Sequence, residues 1–124
     1  MRSVATLTVY DVNTCTTCRA LAQLLSELGI DFDTVEYHVG GLTEPELRGL
    51  LRKADARAHE LLRAREASAV GLDVAAFDED ALISAMVANP ALVQRPIVVR
   101  GDRALLARPV DRVLELLDGP DQAG

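Results

Sequence analysis

Val9-Tyr10-Asp11-Val12-Asn13-Thr14-Cys15-Thr16-Thr17-Cys18-Arg19 is the stretch on which the fold turns. Ahead of it and into it, Val4 to Tyr10 is rich in β-branched and apolar residues and reads as a buried strand. Asp11 to Thr14 reads as a polar loop. Behind it, Leu21, Leu24, Leu25 and Leu28 recur at helical spacing, so a helix is expected from Thr16 to Leu28, with Gly29 where a C-terminal cap belongs. The two cysteines therefore fall where a strand hands over to a helix. Unpaired backbone N–H groups and the helix dipole favour an anion there, and a thiol is a nucleophile only as its thiolate. Cys15 is expected at the first helical position. Cys18 follows one turn later on the same face, near enough to attack a sulfur adduct on Cys15. Thr14, Thr16 and Thr17 offer hydroxyls to a thiolate or a bound oxyanion, and Arg19 adds positive charge nearby.

Working outward, Asp33 to Tyr37 reads as a second strand, which completes a βαβ unit with parallel strands. Thr43-Glu44-Pro45-Glu46 opens a helix with a Thr cap, a proline in the first turn and acids near the positive end, and Leu47, Leu50 and Leu51 supply its apolar stripe. A second helix is expected from about Ala56 to Arg65. A third, carrying Leu82, Ile83, Met86 and Val87, ends at Asn89-Pro90. Arg95 to Arg100 is a strand with Pro96 at its mouth, Gly101-Asp102 a two-residue turn, and Arg103 to Ala107 the returning strand of a hairpin. Pro109 starts a last helix, and 119–124 reads as a frayed tail. The expected architecture is α/β: one thioredoxin-like domain over 1–124, with a four-stranded mixed sheet and an all-helical insertion at about 43–90, after the first βαβ unit.

Composition narrows the function. Of 124 residues, 49% are hydrophobic, enough for a core of mostly Leu, Val and Ala, since only Tyr10, Phe32, Tyr37 and Phe77 are aromatic. The net charge of −6 argues against nucleic acid or an anionic membrane as partner. No apolar run approaches the ~18 residues that span a bilayer. Two cysteines three positions apart make no disulfide framework, so a reducing cytoplasm is the expected compartment. The acidic surface leans toward a monomer.

Of the 13 basic residues, 12 are arginine, a residue suited to forked recognition of oxyanions. Arg63, Arg65, Arg95 and Arg108 stand out. Arg95 precedes Pro96 at a strand mouth, where thioredoxin-like folds place a cis proline beside the active thiol, and Arg108 ends the adjacent strand before Pro109. Guanidinium groups clustered at the Cys15 end of the sheet would hold a tetrahedral oxyanion and lower the thiol pKa together. The competing readings are plain: each arginine as a solvated surface residue, and the cysteines as two small core residues. Zinc is a further alternative, but His38 and His59 have no ligand-like spacing to the cysteines, so no metal is expected.

Taken together, these segments resemble the arsenate reductase family that uses glutaredoxin, ArsC, and its relatives the Spx regulators. The resemblance spans the chain from Val9-Tyr10 to Leu116-Leu117. Asn13-Thr14-Cys15-Thr16-Thr17-Cys18-Arg19 is similar to the family's active-site loop; Leu61-Leu62-Arg63 matches the segment with the first oxyanion-binding arginine; Asn89-Pro90 through Gln94-Arg95-Pro96-Ile97-Val98-Val99 resembles its most specific signature; and Ala107-Arg108-Pro109 matches the third arginine. The resemblance implies that Cys15 attacks arsenate, that Arg63, Arg95 and Arg108 stabilise the anionic adduct, and that a second thiol releases arsenite. It implies no bound cofactor, only an external thiol reductant: glutathione with glutaredoxin, thioredoxin or another small thiol. The well-known reductases lack a cysteine at the Cys18 position and draw the second thiol from glutathione with glutaredoxin, so Cys18 is a candidate to resolve the adduct internally, with the external thiol as the alternative. Spx-type redox regulators, which bind RNA polymerase, do carry CxxC, and their typical arginine falls on Arg65. Against that reading, Arg57 stands where they have a glycine, and Arg108-Pro109 matches the reductases. A general thiol-disulfide reductase is the third alternative.

Overall fold

A computed structural model describes residues 7–12 and 15–117. Four strands form one sheet in the order β2-β1-β3-β4: β1 (Leu7–Asp11), β2 (Phe32–Glu36), β3 (Ile97–Arg100) and β4 (Arg103–Leu106). The pairing of β1 with β2 is parallel, in register from Leu7 opposite Phe32 to Asp11 opposite Glu36. Antiparallel pairings join β1 to β3 and β3 to β4. The sheet is thus mixed, as the order of elements implied. Val4 to Thr6 of the expected first strand lie outside the described residues, as do Asn13, Thr14 and the expected frayed tail.

Period-two alternation gives each face of the sheet its own core. Leu7, Val9, Val98 and Leu105 point to one side, where Leu21 and Leu25 of α1 (Thr16–Glu27) and Val113 and Leu116 of the last helix cover them. Ile97 and Ala104 join the opposite core, built from Leu47, Leu50 and Leu51 of α3 (Glu44–Ala54), Ile83 and Met86 of α5 (Glu79–Ala88), and Leu61, Leu62, Leu92 and Val93 between helices. α1 ends as the sequence implied, with Gly29 at φ +72°, a backbone only glycine adopts freely. α3 opens with a reciprocal cap: the Glu46 N–H donates to the Thr43 hydroxyl at 3.2 Å, and the Thr43 N–H donates to the Glu46 carboxylate at 2.9 Å.

The expected helix from Ala56 to Arg65 is absent. Ala58–Leu61 is a single 3₁₀ turn, Leu62 leaves it in extended conformation, and a new helix, α4 (Ala64–Ala69), starts beyond Arg63. A long-range tie explains the break. Leu62 bridges Val93, with the Arg63 N–H donating to the Leu92 carbonyl at 2.6 Å and the Gln94 N–H to the Leu61 carbonyl at 2.7 Å. Three smaller corrections apply. Asp11 belongs to β1 rather than to a loop, because β2 extends far enough to pair with it. Tyr37 leaves β2 and opens a short helical turn, α2 (Tyr37–Gly40). The terminal helix proper, α6 (Val113–Leu117), follows a 3₁₀ turn at Val110–Arg112 instead of starting at Pro109.

Candidate active site

Cys15 is the N-cap of α1, one position earlier than the spacing suggested, with φ −80° and ψ 124°. Its N–H donates to the Val12 carbonyl at 2.9 Å and its carbonyl accepts the first helical bond from the Arg19 N–H at 3.1 Å. No side chain caps this helix end, so free N–H groups of the first turn face the half-buried sulfur. Burial pushes the Cys15 thiol up. Hydrogen bonds from the Cys18 N–H, the Cys18 thiol, the Arg95 guanidinium and the Thr17 N–H outweigh it, and the net shift is downward.

Cys18 behaves in the opposite way. It is 2% exposed, the first of the residues Cys18, Leu21 and Leu25 that form the buried stripe of α1. Burial pushes its thiol up to about 12; a hydrogen bond from the Val12 backbone works against this, while the neighbouring Cys15 and the Asp11 carboxylate add to it. The pair therefore splits into an acidic, accessible sulfur and a protonated, sequestered one. Cys15 is thus the more acidic of the two thiols, and Cys18 keeps its proton at neutral pH.

Arg95 joins this thiol to a second feature. Its guanidinium helps hold the Cys15 thiol pKa down, while its backbone carbonyl accepts a hydrogen bond from Arg108 Nη1 at 3.0 Å. Arg108, with Arg63, Arg65, Ala64 and Gln94, lines an open cavity of about 330 Å³. Arg63 also leans on the Ala91 carbonyl at 3.4 Å and sits 3.6 Å from Glu66, the acid paired with this group. The antiparallel Leu62–Val93 bridge sets Arg63 opposite Leu92 and Gln94 opposite Leu61, so Arg63 and Gln94 lie diagonally across it, both at the cavity. Pro96, in cis linkage to Arg95, is buried at the entry to β3.

The remaining expected residues are placed as follows. Thr17 is half-buried and supplies its backbone N–H to Cys15; Thr16 and Arg19 are exposed on the first turn of α1. Arg65 is exposed at the cavity wall. Thr14 lies outside the described residues. Among the described residues, no three of His, Cys, Asp and Glu come together as metal ligands would. A second cavity of similar size, about 340 Å³, lies near Ala54, Leu61 and Leu106. It contains no thiol, and its Arg103 and Arg112 are engaged with the Glu115 and Leu106 carbonyls.

Three residues escaped the reading from sequence. Tyr37 is 1% exposed and donates its hydroxyl to the Val93 carbonyl at 2.8 Å, inside the ladder that carries Arg63 and Gln94. Burial pushes its phenol up to about 12, against the pull of Arg95 beside it. Gln94 adds a neutral amide to the arginine cavity. Asp11 is buried against the dithiol. The one available cue was chemical: a Tyr or Asp among apolar neighbours has to find a partner once buried.

A mixed four-stranded α/β sheet with a cysteine of lowered pKa at the mouth of its first helix defines a thioredoxin-like protein. More narrowly, the chain belongs to the ArsC family, whose model matches residues 10–116. It is 37% identical over 112 residues to YfgD, an uncharacterized protein of Escherichia coli (strain K12), covering 88% of this chain and 94% of that one. It is 34% identical over 114 residues to the arsenate reductase ArsI2 of Synechocystis sp., covering 90% and 81%. Among solved structures, an arsenate reductase from Vibrio cholerae superposes with a TM-score of 0.84 at 28% identity, over 91% of this chain and 98% of that one.

Proposed function

We propose that this protein reduces arsenate to arsenite through a thiol–arsenate adduct on Cys15. The supporting observation is Arg95, whose guanidinium lowers the Cys15 pKa while its backbone carbonyl is tied to Arg108 at the arginine cavity. Arsenate carries its negative charge on tetrahedral oxygens that Arg63, Arg95 and Arg108 can fork together, with Arg65 at the rim. The Cys15 thiolate attacks arsenic, an S–As bond forms and one oxygen leaves as water after protonation. Arsenic is still pentavalent at this point. The guanidinium groups act on the charge of the adduct and of the transition state leading to it.

Reduction is the second step. The Cys18 thiolate attacks the Cys15 sulfur, an S–S bond forms, and the S–As bonding pair departs with arsenic as trivalent arsenite. Two thiols have then given up two electrons. An external thiol, from glutathione with glutaredoxin, thioredoxin or another small thiol, returns the disulfide to the dithiol state. The working unit in this reading is the single domain, as a monomer in the cytoplasm. The unequal acidity of Cys15 and Cys18 supports a second reading, a general thiol-disulfide reductase acting on mixed disulfides.

The test is arsenite production from arsenate by the purified protein with each reductant in turn. Turnover abolished in Cys15→Ser, and retained in Cys18→Ser when glutathione is supplied, supports the reductase. No arsenite with any reductant, alongside turnover of mixed disulfides, transfers the assignment to the second reading; RNA polymerase binding without either activity transfers it to a redox regulator.

A further inference from the structure

The arginine cavity is rich in hydrogen-bond donors and poor in acceptors. Arg63, Arg65 and Arg108 line it, and a guanidinium donates but never accepts. Ala64 adds no polar side chain, so among the described residues Gln94 is the one lining side chain with an acceptor atom. Backbone acceptors at this place are already taken. The Leu61 carbonyl accepts the Gln94 N–H at 2.7 Å, and the Leu92 carbonyl accepts the Arg63 N–H at 2.6 Å. The Ala91 carbonyl accepts Arg63 Nη1 at 3.4 Å, and the Arg95 carbonyl accepts Arg108 Nη1 at 3.0 Å. Glu66, the nearby acid, sits 3.6 Å from Arg63 and does not line the cavity.

The amide of Gln94 has a fixed sense. Its Nε2 donates to the Leu62 carbonyl at 3.4 Å, and a carbonyl can receive only the NH2 end of an amide. Oε1 is therefore the free end, and no donor among the described residues engages it. Backbone and side chain of Gln94 grip consecutive carbonyls, those of Leu61 and Leu62, directly before Arg63. The acceptor is thus held in place among the guanidinium groups.

We propose that Gln94 sets the anion specificity of the cavity: its Oε1 accepts a hydrogen bond from the hydroxyl of a partly protonated tetrahedral oxyanion, so that arsenate- and phosphate-type anions are taken and sulfate-type anions are disfavoured. This rests on the reading of the arginine cavity as the oxyanion site. Guanidinium groups bind any tetrahedral anion through charge and forked N–H groups, and cannot tell these anions apart. The difference between them is protonation. At neutral pH arsenate and phosphate carry at least one hydroxyl, whereas sulfate carries none. A hydroxyl donates to Oε1; a bare sulfate oxygen meets it acceptor to acceptor, with no proton between them. A site that places a polar group for a substrate hydroxyl discriminates against the analogue lacking it, because that group is left unpaired. No proton is transferred, and Gln94 stays neutral throughout.

The experiment needs no turnover. Anion binding to the full reduced chain is followed through backbone amide NMR shifts at pH 8 and constant ionic strength, with phosphate, monofluorophosphate and sulfate as probes. All three are mainly dianions there, and monofluorophosphate is hydrogenphosphate with fluorine in place of the hydroxyl. The wild type is expected to bind phosphate about tenfold more tightly than either of the others, the worth of one hydrogen bond. Gln94→Met keeps the side-chain length and removes the amide oxygen. In it, phosphate affinity should fall to that of monofluorophosphate, while the affinities for monofluorophosphate and sulfate hold or rise. A merely structural role of the amide, through its bond to Leu62, would instead weaken all three probes alike. Equal affinities in the wild type, a phosphate preference that survives in Gln94→Met, or a parallel loss of all three overturns the inference about Gln94 alone. Binding of none of the probes to the wild type removes the oxyanion reading of the cavity, and the Gln94 inference with it.

Discussion

Tyr37→Phe separates the support of the arginine cavity from its chemistry. Tyr37 is 1% exposed, and its hydroxyl donates to the Val93 carbonyl at 2.8 Å. Val93 faces Leu62 in the bridge that Arg63 and Gln94 flank. Phenylalanine keeps the ring and opens no cavity of consequence, so the loss is the hydrogen bond and the satisfaction of a buried carbonyl. A buried acceptor left without its donor costs about 1–3 kcal/mol. With a urea dependence of about 1–3 kcal/mol per molar for a small protein, the unfolding midpoint should fall by roughly 1 M at unchanged slope. Tyr37 also stands beside Arg95. Its loss should therefore loosen Arg95 and reduce Cys15 reactivity in the folded protein, in conditions far below the unfolding midpoint. Urea titration by far-ultraviolet circular dichroism gives the first quantity, and iodoacetamide trapping of Cys15 the second. A midpoint unchanged from wild type would refute the argument that this hydroxyl holds the bridge.

Three further outcomes are expected. In Arg95→Ala, Cys15 loses one of the groups that hold its pKa down, so its alkylation profile moves to higher pH and the rate at pH 6 falls; an unmoved profile would detach Arg95 from the thiol. Removing Arg108 takes away a guanidinium from the cavity and the donor to the Arg95 carbonyl, and Arg108→Ala should lower arsenate kcat/KM by about tenfold to a hundredfold while leaving closure of the Cys15–Cys18 disulfide intact. For stability, the raised folded pKa of Asp11 means that its favourable contribution is complete below the unfolded carboxylate pKa and lost as pH rises through the folded value. Asp11→Asn should therefore be more stable than wild type at pH 7 by about 1 kcal/mol, with the gap closing on acidification to pH 3, as measured by denaturant unfolding at both pH values.

Local signals carried most of the architecture. Strand alternation, the leucine spacing of α1, Gly29 and the Thr43–Glu46 cap are written within a few residues of where they act, and each element they mark is present. Segment 56–65 failed because its apolar spacing at Ala58, Leu61 and Leu62 looks helical, while the force that shapes it comes from Val93, thirty-one positions away. Asp11 was read as loop for the same reason, since only its pairing with Glu36 makes it strand. The site divides along similar lines. The cysteine motif announces itself, Arg95 and Arg108 are marked by the prolines that follow them, and Arg63 and Arg65 gain their meaning from family resemblance, with Arg63, Arg65 and Arg108 brought to one cavity. Tyr37 and Gln94 act through backbone groups and neighbours that no pattern of spacing encodes.

The sheet keeps two bodies of side chains apart, and that partition has an evolutionary reading. Both thiols ride on the helix that covers one face, whereas Arg63, Arg65 and Gln94 come from the layer covering the other. Cys15 packs against that second layer, while Leu21 and Leu25 of α1 pack on the first, so replacements at the exposed cavity wall can reshape the anion site without disturbing the leucine stripe under α1. A lineage could thus exchange one anion for another, or shed anions altogether in favour of disulfide substrates, while inheriting the same electron-transferring sulfur pair unaltered.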